Sequence, residues 1–189
     1  MKKIINLFSV TNSLLEKVGS TLGSIAVALM VCAILIQVVF RYLLNNALPW
    51  PDEAARFFML WMVGLMAPIA LRKGGFVAID MLVHLLKPRL AAILNLMLLG
   101  LATLVIVIAI QIGWKEVTGF GGRFATASLY VPTSIAFDEW FRVPRSWMMA
   151  SLLIGFVWML IVQIELILRQ LFALFTGDKS VLDLSAEEA

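Results

Sequence analysis

The chain has 189 residues, of which 62% are hydrophobic and 14% charged, with a mean hydropathy of +0.98 and a net charge of +3. Soluble domains run at roughly 45–50% apolar and about 25% charged, so this composition excludes a soluble globular protein and requires a membrane. The 15 Lys and Arg residues are scattered along the flanks of apolar runs, with no basic stripe for phosphates to follow. That pattern excludes nucleic acid as a partner and points to membrane topology instead.

In chain order, residues 1–19 come first. Ile4, Leu7, Phe8, Leu14, Leu15 and Val18 recur near the helical period, with Lys3, Asn6, Asn12, Glu16 and Lys17 between them. An amphipathic lead-in helix lying on the membrane surface is expected. The first apolar run, residues 20–40, lacks a small-residue cleavage site and reads as a retained span. Gly19 and Gly23 form a GxxxG at its start. Cys32, the only cysteine, excludes an intrachain disulfide and reads as a small buried hydrophobe.

The second run, residues 54–71, is entered through "LPWPDEAARFF". Pro51 suits the first helical turn, because its missing N–H has no helical partner there. Asp52 and Glu53 face the positive end of the helix dipole, and Arg56 lies three and four residues beyond them on the same face. A charge of this kind costs about 2.5–3.5 kcal/mol at the bilayer centre, so Arg56 marks the interface, with Glu53 or Asp52 as its expected partner. The third and fourth runs are residues 90–114 and 146–168. All four are long enough to cross the hydrocarbon core and lack barrel alternation, so each must be helical. The fold expected is therefore an all-α integral membrane protein of four transmembrane helices plus short interfacial amphipathic helices. Residues 20–168 form its membrane domain.

The connection over 115–145 is the longest and opens with Gly119, Gly121 and Gly122. Phe137, Trp140 and Phe141 share a helical face and Asp138 and Arg142 an i,i+4 spacing, which predicts a short interfacial helix between Pro132 and Pro144. Residues 169–189 form a tail that turns polar and acidic from Thr176, with Asp178, Asp183, Glu187 and Glu188.

Lys and Arg counts set the orientation. The side bearing both termini holds nine of the 15, among them Arg72 and Lys73, and the other side holds six. The positive-inside rule thus places both termini in the cytoplasm. Trp50, Trp114, Trp140 and Trp147, with Tyr42 and Tyr130, all fall at the outer ends, where Arg142 and Arg145 also lie. They form an aromatic belt that anchors the helices or offers a docking surface.

The chain is poor in chemistry. A single histidine, His84, rules out a bis-histidine haem built from this chain and leaves a His/Cys zinc site or a hydrolase triad without parts. No phosphate-binding GxxxxGK[ST] occurs. No catalytic residues, cofactor or metal are expected. Polar residues inside the spans are few: Gln37, Asn95, Thr103, Gln111, Gln163 and Glu165. The amides are expected to hydrogen-bond between helices, and Glu165 to pair with Arg169 at the interface. Pro68 alone interrupts a span, near its end. A transporter that held its own substrate and ions would need charges or broken helices near the midplane. A scaffold fits better.

The run from Trp50 through Glu53 and Arg56 into "FFMLWMVGLMAPIALRKGGFVAID" resembles the small membrane subunit, DctQ-like, of tripartite ATP-independent periplasmic (TRAP) transporters. In that family a tryptophan and an acid open the second span, which closes with a basic turn and an aspartate, here Arg72, Lys73 and Asp80. The 115–145 loop is longer than the family usually needs. The resemblance implies a small subunit of a sodium-coupled secondary importer of organic acids in a bacterial inner membrane. Its implied partners are a large multi-span DctM-like subunit, a periplasmic substrate-binding protein and membrane lipids. Trp50, Asp52, Glu53 and Arg56 would then serve helix entry and subunit contact, and Trp114, Trp140, Trp147, Arg142 and Arg145 outer anchoring or docking. The main alternative is a membrane anchor or assembly subunit of an inner-membrane respiratory enzyme.

Overall fold

The computed structural model describes residues 2–73, 88–132 and 140–176. Helix α1 runs over Lys2–Val38 and passes into a π-helical turn at Val39–Leu43. Helix α2 spans Trp50–Arg72, α3 Pro88–Thr118 and α4 Arg145–Thr176. Each contains a segment long and apolar enough to cross a membrane, so the helical membrane class expected from composition holds. Between α1 and α2 the chain reverses through Asn45, whose φ of 50° lies in the left-handed region that asparagine tolerates. Pro51, Asp52 and Glu53 all fall in the first turn of α2, where a missing N–H costs nothing and acids meet the positive dipole end.

Two expectations fail. The surface lead-in is not a separate element: residues 2–19 are the first half of one unbroken 37-residue helix. At about 1.5 Å per residue, α1 is far longer than a bilayer core of about 30 Å. Three of its polar residues there do not face water, whereas Asn6, Thr11 and Lys17 are exposed. Ser9, Asn12 and Glu16 are buried against other helices, so their period marks a packing face. The short helix expected between Pro132 and Pro144 does not cover Trp140–Pro144, which form a strand, while residues 133–139 lie outside the described residues. Strand β1, Ala125–Pro132, pairs antiparallel with β2, Trp140–Pro144, in the register Tyr130↔Arg142, Val131↔Phe141 and Pro132↔Trp140. Trp140, Phe141 and Val143 are strand formers, and Pro132 and Pro144 sit at strand ends, where a missing N–H is tolerated. Phe137 and Asp138 lie outside the described residues. The hairpin accounts for the length of the 115–145 loop.

The helices pack in the order α1, α2, α4, α3, with lesser contact between α1 and α4. Close approach of α2 to α4 depends on glycine. A Cβ on Gly155 would come within 2.5 Å of the Gly64 carbonyl, and one on Gly64 would run into the Ser151 carbonyl. Backbones meet there with no side chain between, as expected where lipid supplies no hydrophobic drive and contact area must come from packing. Toward the chain-terminal end, Ile69, Trp158 and Val162 form the core, with Leu65, Met66 and Leu166 against it. The Gly19/Gly23 pair instead makes room for side chains: the Trp158 ring lies over Gly19 and Met66 over Gly23. By contrast α3 packs mainly on α4, leaving Ile93, Met97, Leu101, Leu104, Ile108 and Ile112 exposed along its length. Cys32, expected inside, is exposed on α1.

Candidate functional site

At the end where α2 begins, the acids do not hold Arg56. Arg56 is exposed and makes no ion pair among the described residues, because both carboxylates point elsewhere. Glu53 reaches the hairpin: it accepts the backbone N–H of Ala127 at 2.8 Å and that of Ser128 in a short bond. The Ser128 hydroxyl lies 2.7 Å from Glu53 and 2.8 Å from the Pro49 carbonyl. Asp52 accepts from Gln37 at 3.2 Å, tying α2 to α1. Glu53 thus anchors a loop 75 residues downstream, and Asp52 fixes the preceding helix.

The i,i+4 acid expected for Arg142, Asp138, lies outside the described residues. The Arg142 guanidinium donates to the Thr126 carbonyl through Nε and to the Ala127 carbonyl at 2.9 Å, and it covers the Tyr130 ring at 5.8 Å. It staples β2 to β1 across the pair that also seats Thr126, whose hydroxyl donates to the Val143 carbonyl at 2.7 Å. The Arg145 backbone N–H bonds the Phe124 carbonyl at 2.8 Å, joining α4 to the start of the hairpin. Trp50, Trp114, Trp140 and Trp147 stay exposed around this end, and Phe141 packs on Trp147 with ring centroids 6.2 Å apart. Trp50, Asp52, Glu53, Trp140, Arg142, Arg145 and Trp147 are thus gathered on one end of the bundle. The surface is aromatic, and Glu53 and Arg142 there are spent on the chain's own backbone.

The opposite end is built from charge. Glu165 is fully buried and holds Arg169 through two bonds of 2.8 and 3.0 Å, and its other oxygen accepts from Asn12 at 2.5 Å and lies 3.6 Å from Arg72. Arg72, the last residue of α2, pairs with Glu16 at 2.8 Å and donates to Ser13 at 3.1 Å. Lys73 joins Glu16 at 2.5 Å. Three helices, α1, α2 and α4, thus share one buried ionic network. The fourth is added by Gln163, which donates to the Leu99 carbonyl of α3 at 2.8 Å. Glu165 and Arg169 do pair, as their spacing predicts, but inside the bundle rather than at an exposed interface. Asp80, expected beside Arg72 and Lys73, lies outside the described residues.

Sequence reasoning missed Ser9, Asn12, Ser13 and Glu16. Their i, i+3, i+4, i+7 spacing is a helical stripe, and the signal was that it recurs on a helix whose continuation is apolar. A buried charge must be paired, so two acids and two arginines near helix ends of one chain are each other's natural partners. Elsewhere the amides follow expectation in part: Gln37 and Gln163 bond across helices, whereas Gln111 is exposed, and the Thr103 hydroxyl donates to the Leu99 carbonyl of its own helix. Among the described residues no group of three His, Cys, Asp or Glu could hold a metal.

No curated protein matches the sequence. Residues 30–173 match the family model described as tripartite ATP-independent periplasmic transporters, DctQ component, and the chain therefore belongs to that family of membrane transporter components, which are not enzymes.

Proposed function

We propose that this small TRAP subunit serves a sodium-coupled importer of organic acids, bracing a large DctM-like membrane subunit and helping to dock a periplasmic substrate-binding protein. The reading places the chain in the bacterial inner membrane with both termini in the cytoplasm. One observation carries it: the polar side chains that cross between helices are consumed in locking α1, α2 and α4 together, while α3 presents an apolar face along its full length. Such a body has a rigid interior and a surface suited to another membrane protein, without a substrate path of its own. In this arrangement the outer end offers Trp140, Trp147, Trp114, Arg142 and Arg145 to the binding protein, and Trp50 and Arg56 flank the large subunit. Arg56 is exposed and unpaired among the described residues, so an acidic group on a partner would complete it.

The test is uptake by proteoliposomes that contain this chain and its large subunit, supplied with the binding protein and a labelled organic acid. Accumulation driven by an inward sodium gradient, and lost without this chain, is expected. Uptake that proceeds equally without it, or in potassium alone, would overturn the proposal.

A further inference from the structure

Beyond that reading, we infer that the N-terminal half of α1 carries a binding site for the headgroup of an anionic phospholipid. An open groove of about 520 Å³ runs along α1, lined by Asn6, Ser9, Val10, Ser13, Leu14 and Lys17. The volume falls within the roughly 300–1,000 Å³ range typical of ligand pockets. Its depth is fixed by contact: Ser13 touches Arg72, where α2 ends, so the groove sits where the hydrocarbon gives way to headgroups.

The charge there is unbalanced. Arg72, Lys73, Arg169 and Lys17 stand against Glu16 and Glu165, an excess of two positive charges in that group. Lys17 is exposed on the groove and has no ion pair among the described residues, since its neighbour Glu16 is engaged by Arg72 and Lys73. The Ser13 oxygen accepts from Arg72, which leaves the hydroxyl proton to donate outward and makes it a stronger donor. A phosphate in the groove would meet the Lys17 ammonium and the Ser13 hydroxyl, one helical turn apart on the same face. Val10 and Leu14, both exposed on the same wall, supply the apolar contact that an acyl chain needs and a free phosphate does not. Basic, partly apolar pockets at the ends of membrane helices suit lipid headgroups, with about 1 kcal/mol from each Lys or Arg near an anionic surface.

The experiment is native mass spectrometry of the full-length protein released from detergent micelles with phosphatidylglycerol, phosphatidylcholine or inorganic phosphate added. Retention of phosphatidylglycerol over phosphatidylcholine is expected, with about a fivefold loss in Lys17→Ala, a further loss in Lys17→Ala/Ser13→Ala, and none in Lys115→Ala. Lys17 is exposed, so its loss leaves the fold intact, and an unchanged melting temperature checks this. Equal retention of the two lipids, no change in the double variant, or displacement of lipid by millimolar inorganic phosphate would overturn the assignment.

Discussion

The two ends of the bundle solve the same problem, how to hold helices in register where they leave the membrane, with opposite chemistry. At the end bearing the hairpin, side chains bind backbone: Glu53 takes the N–H groups of Ala127 and Ser128, and Arg142 gives to the carbonyls of Thr126 and Ala127. At the end bearing the termini, side chains bind side chains, and Glu165, Arg169 and Arg72 are almost wholly buried. The first design orders a loop and leaves the surface free for contact. The second fixes helices and leaves little exposed. A bound loop can open locally without disturbing the spans, whereas a buried charge network can open only if helices separate.

That contrast can be broken most forcefully at Glu165. Glu165→Ala leaves Arg169 buried without its carboxylate and removes the acceptor of Asn12, while Arg72 keeps Glu16; removing one partner of a buried pair typically costs about 3–5 kcal/mol. A large fall in melting temperature and in yield from detergent is expected, and near wild-type melting would show that the network does not hold the bundle. Next comes Gly155→Val, which forces a branched side chain into the Gly64 backbone. Overpacking of this kind costs about 1–3 kcal/mol or more, and the melting temperature should fall again, this time with the ionic end intact. Glu53→Ala should be smaller and local. Losing the acceptor for two backbone N–H groups costs about 1–3 kcal/mol at the hairpin. Hydrogen exchange at Ala127 and Ser128 should accelerate while exchange in α2 and α4 stays slow. Acceleration throughout would mean that the two ends are not independent. Smallest is Arg56→Ala: exposed and unpaired, it should move the stability of the isolated chain by no more than about 0.5 kcal/mol, while lowering the yield of the assembled complex. If complex yield is unchanged, Arg56 is not an interface residue.

Four helical spans could be read from hydropathy because lipid permits no other solution for backbone polar groups in apolar runs of this length. The start of α2 was equally legible, since Pro51, Asp52 and Glu53 obey local rules. What those acids bind was not. Glu53 and Ser128 are 75 residues apart, and Asn12 and Glu165 are 153 apart, and periodicity carries no information across such separations. The i+3 rule offered Arg56 as the partner only because it was near in sequence. The hairpin was missed for a different reason. Trp140 and Phe141 fit a helical face with Phe137, yet aromatic and β-branched residues over Trp140–Val143 also suit a strand, and a run this short does not distinguish the two periods. Asn12 and Glu16 were read as a wet face because a polar stripe on an amphipathic helix looks the same whether water or buried Arg72 and Glu165 lie opposite.

The most direct test of the account is a mild-detergent pull-down of the tagged protein from its native membranes, with the bound proteins identified and their ratio measured. A large polytopic membrane subunit retained at a one-to-one ratio is the predicted result, with less of it in Arg56→Ala. A haem or iron–sulfur enzyme retained in its place would contradict the account and make this chain an anchor.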